Sequence, residues 1–195
     1  MKLRGLYAVT PEGEGLENKV RLALEGGIAL LQYRSKARNR PQAAAIVRLA
    51  QSFGVPVIVN DHAGLALELG ADGAHLGRGD GELTLARQRL GERILGASCY
   101  NDLGLARAAV AAGADYVAFG SVFASPTKPN AVRAPLALFR EAKALGVPVA
   151  AIGGITLDNA PQLIAAGADL LAVISDLFDA PDIRARARAY GELFR

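Results

Sequence analysis

Apolar runs of four to seven residues recur along the chain, and longer amphipathic, alanine-rich stretches separate them. Continuous runs of Val, Ile, Leu and Ala read as strands buried on both faces, whereas apolar positions three and four apart read as helices packed along one side. The alternation occurs eight times and predicts strands over 6–9, 29–33, 55–59, 73–76, 94–97, 116–119, 147–152 and 170–174. Helices are expected near 16–25, 41–52, 64–69, 83–90, 102–112, 134–144, 157–166 and 181–193.

Three unit boundaries share a phrase: Gly70-Ala71-Asp72, Gly113-Ala114-Asp115 and Gly167-Ala168-Asp169. The glycine suits the left-handed residue that ends a helix, and the aspartate is expected to open the turn into the next strand. Repeated strand-helix units with right-handed crossovers close into a (β/α)8 TIM barrel, an α/β fold, with an open doubly wound sheet of eight parallel strands as the alternative. No proline- or serine-rich linker interrupts the pattern, and 195 residues suffice for one buried core but not for two, so a single domain over 1–195 is expected.

Composition narrows the function. The formal charge is only +3 and the basic residues are scattered, with the densest group at Arg184, Arg186 and Arg188 read as a solvated helix face, so no nucleic-acid partner is expected. One cysteine, Cys99, excludes an internal disulfide, and with only His62 and His75 beside it there is no His/Cys zinc cluster; the usage points to a cytoplasmic protein. Met1-Lys2-Leu3-Arg4 leads straight into a strand, so neither a signal segment nor a membrane span is expected. The sequence is compatible with a homodimer without fixing the oligomeric state.

In a barrel, polar residues just after each strand gather at one rim. Here they are Gln32-Tyr33-Arg34-Ser35-Lys36, Asn60-Asp61, His75 with Asp80, Ser98, the loop Ser125-Pro126-Thr127-Lys128, Gly153-Gly154 and Ile174-Ser175. Arg34, Lys36 and Lys128 need anionic partners to offset their desolvation, which a polyanionic substrate supplies. Asp61 and Asp80 suit an oxygen-preferring cation such as Mg²⁺ that also binds substrate phosphates. Each has a plainer reading: Asp61 as a helix cap, Asp80 as a turn residue. His75 reads as a general base or a core histidine, His62 as a surface residue, and Cys99 as a small buried residue without a histidine partner. Bare backbone N–H groups at Gly153-Gly154, opening helix seven, and around Ser175 fit the phosphate site that barrels carry after strands seven and eight. One diphosphate site and one monophosphate site imply two small phosphorylated substrates.

Together the motifs Gln32-Tyr33-Arg34-Ser35-Lys36, Asn60-Asp61, His75-Leu76-Gly77 with Asp80, Ser98, Ser125-Pro126-Thr127-Lys128, Ile152-Gly153-Gly154-Ile155 and Ile174-Ser175 resemble the thiamine phosphate synthase family, in order and over nearly the whole chain. The resemblance implies a barrel that joins hydroxymethylpyrimidine diphosphate to a thiazole phosphate with Mg²⁺, pyrophosphate leaving before the thiazole nitrogen attacks. By position it implies that Gln32, Tyr33, Arg34, Ser35, Lys36, Asn60, Ser98 and Lys128 hold the pyrimidine diphosphate, with Lys128, Arg34 and Ser98 catalytic. It further implies Asp61 and Asp80 as Mg²⁺ ligands, and Ser125, Pro126, Thr127, Gly154, Ile174 and Ser175 around the thiazole phosphate. The chain departs from the family pattern at Tyr100, where many members have histidine, at Ser35, where an acidic residue is usual, at Ser125, and at Ala137. Three rivals are weighed. The sister thiazole tautomerases are disfavoured by Gln32, Lys36, Asp61, Asp80 and Lys128; the others are a non-catalytic phosphate-ligand sensor and a barrel isomerase.

Overall fold

The structure, a computed structural model, describes residues 3–37, 39–124 and 133–195. Eight parallel strands, β1 (Gly5–Val9), β2 (Leu30–Tyr33), β3 (Val57–Asn60), β4 (Gly73–Leu76), β5 (Ile94–Tyr100), β6 (Tyr116–Phe119), β7 (Val149–Ile152) and β8 (Leu170–Val173), pair in chain order. The ring closes where β8 returns to β1, Gly5 lying opposite Leu170 and Ala8 opposite Val173. Closure removes the unpaired edges that an open sheet would leave, and it excludes the doubly wound alternative.

Outside the ring lie α1 (Leu16–Glu25), α2 (Arg40–Ser52), α3 (Ala63–Glu68), α4 (Leu83–Leu90), α5 (Leu103–Ala111), α6 (Leu136–Ala142), α7 (Ala160–Ala166), α8 (Ser175–Phe178) and α9 (Ile183–Glu192). Among the helices, two features depart most from the expected pattern. Helix α7 starts at Ala160 instead of 157, because the chain turns through Asn159 and places Pro161 in the first helical turn, where its missing N–H costs nothing. The short α8 was not expected, since four residues are too few to show a helical period.

Strand alternation sorts the core into two layers. Leu31, Tyr33, Val59, Leu95, Val117 and Phe119 face the helices, and Tyr7, Val9, Leu30, Ile58, Tyr116 and Ala150 fill the barrel interior. The repeated glycine-alanine-aspartate phrase does more than open a turn. The Asp72 carboxylate accepts from the Val57 N–H at 2.8 Å, that of Asp115 from Leu95 at 2.7 Å and that of Asp169 from Val149 at 2.9 Å. In each case the aspartate N–H returns a bond to the same residue's carbonyl, at 2.8 Å. The phrase therefore staples each incoming strand to the start of its predecessor, at the end of the barrel opposite the strand-end loops.

The arginine-rich tail is not simply a solvated face. Arg184 pairs with Glu25 at the end of α1, and Arg186 pairs with Asp176 of α8 at 3.0 Å; Arg188 alone of the three is exposed. No helix among the described residues is long and apolar enough to cross a membrane.

Candidate active site

The loop after β2 is set by the loop after β1. Thr10, fully buried, donates its hydroxyl to the Arg34 carbonyl at 3.0 Å and accepts from the Arg34 N–H at 2.9 Å. The Lys36 N–H donates to the Glu12 carboxylate at 2.6 Å. These bonds fix where Arg34, half-buried, and Lys36, exposed, leave the strand. Thr10 was missed in the sequence, although a hydroxyl directly after the first apolar run was the available signal. Tyr33 was expected at the diphosphate, but alternation turns its side chain toward α2, where its hydroxyl lies 3.1 Å from both the Asn39 carbonyl and Gln42 Oε1. Gln32, one residue earlier, faces the interior.

After β3, Asp61 adopts a left-handed φ of 60° and its N–H donates to the His75 carbonyl at 2.8 Å. His62, not Asp61, caps α3, its Nδ1 accepting from the Leu65 N–H at 3.0 Å. The capping role of Asp61 and the plain surface role of His62 are both corrected. Asp80 does serve its turn, accepting from the Gly77 N–H at 2.7 Å. Burial and the neighbouring Asp80 carboxylate push the Asp61 carboxyl up to about 6, while Arg34 and Asn60 pull it back. A carboxyl raised by its acidic neighbour, with a cation beside it, is a set that a hard divalent cation would relieve. Among the described residues no group of three or more His, Cys, Asp or Glu is placed to hold a metal ion, so phosphate oxygens and water would complete the shell, as Mg²⁺ prefers. Ser35, Lys36, Asn60 and Asp61 share the lining of a cavity of about 230 Å³.

Beneath this rim a chain of polar side chains crosses the barrel interior. Gln32 Nε2 donates to the Tyr7 hydroxyl, which lies 2.8 Å from the Tyr116 hydroxyl. Tyr116 lies 2.6 Å from His75 Nδ1, and His75 Nε2 lies 2.8 Å from Ser98 Oγ. A side chain at position 96 would overlap the Tyr116 ring, which explains Gly96 within β5. Burial pushes His75 down to about 4, so it is neutral near pH 7 and bonded to side chains rather than backbone. Burial also pushes the Cys99 thiol up to about 12. With both ring nitrogens taken by Tyr116 and Ser98, the general-base reading of His75 is set aside, and Cys99 is the small buried residue expected. Tyr7 and Tyr116 escaped the sequence reading because aromatic residues in strand runs resemble ordinary core.

Tyr100 takes a left-handed φ of 54°; its hydroxyl accepts from the Arg78 N–H at 3.0 Å and its ring lies 5.3 Å from the Arg78 guanidinium carbon. It braces the loop that carries Asp80. The stem after β6 is laced to β7 by Val122 N–H to Ile152 and Phe123 N–H to Gly153, both at 3.0 Å. Ser125, Pro126, Thr127 and Lys128 lie outside the described residues. After β7, Gly153 and Gly154 take φ values of 107° and 63°, and side chains there would collide with Ser121 and with Phe123 and Ala124. The Thr156 N–H is already used by Asn159 Oδ1 at 2.9 Å, which narrows the expected row of bare amides. Those of Gly154, Ile155 and Ser175 have no acceptor among the described residues.

Comparison with known proteins agrees with this arrangement. The family model described as thiamine monophosphate synthase matches residues 6–177. The thiamine-phosphate synthase of Aromatoleum aromaticum is 60% identical over 202 residues, spanning 99% of this chain and 97% of that protein. That of Methylobacillus flagellatus is 51% identical over 200 residues, spanning 98% and 96%. The solved structure of a thiamine phosphate pyrophosphorylase from Pyrococcus furiosus superposes with a TM-score of 0.85 at 32% identity, covering 99% of this chain and 96% of that one.

Proposed function

The chain belongs to the thiamine monophosphate synthase family, and from that premise we propose how its residues divide the work. It joins hydroxymethylpyrimidine diphosphate to a thiazole phosphate, giving thiamine phosphate and pyrophosphate. The tautomerase reading is not favoured, since the relatives of 60% and 51% identity carry the synthase name.

Arg34, Lys36 and Lys128 neutralise the diphosphate, with Ser35 and Asn60 donating to it, while Gln32 and Ser98 hold the pyrimidine. Tyr33 contributes through its backbone. Asp61 and Asp80 hold Mg²⁺, which supplies charge neutralisation to the departing pyrophosphate when bound. Gly154, Ile174 and Ser175, with Ser125, Pro126 and Thr127, hold the thiazole phosphate. The chemistry is a dissociative substitution: the bond to pyrophosphate breaks, leaving a pyrimidinylmethyl cation stabilised by the ring amino group, and the thiazole nitrogen then attacks. Such a path needs charge stabilisation and exclusion of water, not a strong base or nucleophile. The observation that carries this reading is that Ser35, Lys36, Asn60 and Asp61, from two strand-end loops, line one cavity; the opposed influence of Asp80 and Arg34 on the Asp61 carboxyl supports it. His75, with both ring nitrogens already bonded to Tyr116 and Ser98, and Cys99, its buried thiol pushed upward, support it from the other side, leaving no obvious free base or thiolate. The buried lone thiol also supports a cytoplasmic setting.

The test is pyrophosphate release with both substrates, with and without Mg²⁺. Release is expected to need both substrates and the metal. Lys128→Ala and Arg34→Ala should each cut kcat by roughly a hundredfold or more with the melting temperature preserved, as loss of a charge-stabilising donor does. Near-normal turnover in either variant would remove that residue's role.

A further inference from the structure

The five-residue chain through the barrel interior has a direction. The Gln32 amide nitrogen can only donate, so the Tyr7 oxygen accepts from it and spends its single proton on Tyr116. Tyr116, having accepted, donates to His75 Nδ1 at 2.6 Å. A neutral imidazole that accepts at Nδ1 carries its proton on Nε2, and that proton goes to Ser98 Oγ, 2.8 Å away. Ser98 is left with its own hydroxyl proton to give. At the other end, Gln32 Oε1 has no donor among the described residues. His75 is 6% exposed, Gln32 4%, and Tyr7 and Tyr116 no more than 1%, so water is poorly placed to break the sequence.

We propose that Tyr7, Tyr116 and His75 are positioning residues: their one-way hydrogen-bond chain presents Gln32 to the pyrimidine as an acceptor and Ser98 as a donor. An aminopyrimidine offers the complementary pair, an amino N–H and a ring nitrogen. A ring with these roles exchanged would meet donor against donor and acceptor against acceptor, and the low dielectric of the site makes each such mismatch costly. The inference rests on the assignment of Gln32 and Ser98 to the pyrimidine diphosphate made above.

The direction is readable without substrate. The chain has two histidines, and His62 accepts at Nδ1 from Leu65, so imidazole ¹⁵N spectra of the full-length enzyme near pH 7 give one resonance pair to assign for His75. The expected tautomer is Nε2–H with Nδ1 bare. Gln32→Glu puts a carboxylate, acceptor only, at the head of the chain. Every bond should then reverse, moving the His75 proton to Nδ1 and turning the Ser98 hydroxyl inward. KM for the pyrimidine diphosphate should rise about tenfold to a hundredfold, the effect of a buried group left without its partner, with KM for the thiazole phosphate unchanged. Tyr7→Phe, which cuts the chain, should leave His75 as a mixture of tautomers and raise the same KM. It serves if the carboxylate variant does not fold.

Nδ1–H in the unaltered enzyme overturns the inference, as does a His75 tautomer indifferent to both substitutions. If Gln32→Glu weakens pyrimidine binding with the tautomer unmoved, the assignment of Gln32 stands and the chain does not. If the tautomer flips and neither KM moves, both the positioning role and the pyrimidine assignment fall.

Discussion

Thr10 illustrates how much a site depends on residues that touch no substrate. Its one hydroxyl satisfies both the N–H and the carbonyl of Arg34 inside the protein, and valine would fill the same volume with neither bond. Thr10→Val is therefore expected to cost about 1–3 kcal/mol of stability and to raise KM for the diphosphate substrate more than for the thiazole phosphate, because it frees the backbone that aims Arg34. Urea unfolding and steady-state kinetics check the two halves; equal effects on both substrates would count against the aiming role. His75 carries a different kind of expectation. Its folded value of about 4 lies below the ordinary 6.5, so above pH 6.5 neither state binds the proton. Between 6.5 and 4 the unfolded chain binds a proton that the folded one refuses. Stability thus falls as the pH falls through that window and levels off below it with respect to this group, by about 2 kcal/mol between pH 7 and pH 5. His75→Gln should lose that component of the slope, measured as the difference in urea midpoints at the two pH values.

At the scale of elements, the glycine-alanine-aspartate phrase was visible as a repeat but its work was not. Periodicity marks where a strand starts, whereas the bond from Asp169 to the Val149 N–H spans 20 residues to a neighbouring strand and appears only once the units are stacked. The same limit hid the side on which Tyr33 lies, since a run buried on both faces shows no alternation in sequence. What local patterning did carry was the position of all eight strands to within two or three residues at either end, because short apolar runs bounded by glycine and aspartate are a local signal. Asp169 also pairs with Lys143 at 2.8 Å, the lysine side chain being 49% exposed. The two contributions can be separated. Asp169→Asn keeps an oxygen for the Val149 N–H and gives up the ion pair, which for so exposed a partner contributes about 1 kcal/mol or less. Asp169→Ala leaves the strand N–H unpartnered and should cost about 1–3 kcal/mol. Thermal melts of the two variants are expected to differ, alanine being the lower; equal melting temperatures would mean that the staple contributes nothing beyond the ion pair.

For the whole molecule, the strand-end rule gathered Arg34, Asn60, Asp61, Asp80, Gly154 and Ser175 from sequence alone, because a parallel barrel sends every strand terminus to the same rim. It could not reach the interior chain, whose members are joined across the barrel and not along it. Closure is a global property too, and it is braced from outside by the tail. Asp176 of α8 accepts from Arg186 at 3.0 Å and from the Tyr190 hydroxyl at 2.7 Å, both on α9, while Arg184 holds α9 to the end of α1. Helix α9 thus ties the last strand unit to the first, and Ser175, at the start of α8, carries one of the amides assigned to the thiazole phosphate. Arg186→Ala leaves Asp176 with Tyr190 as its remaining partner in this brace. Because the pair is partly exposed, with side chains 31% and 18% accessible, the expected loss is about 1 kcal/mol, somewhat above a surface pair. A loss confined to the tail would appear as an early, separate transition. If closure and core form one cooperative unit, urea unfolding followed by tyrosine fluorescence and by circular dichroism should stay coincident in the variant, with the single midpoint lowered, and KM for the thiazole phosphate should rise while that for the pyrimidine diphosphate holds.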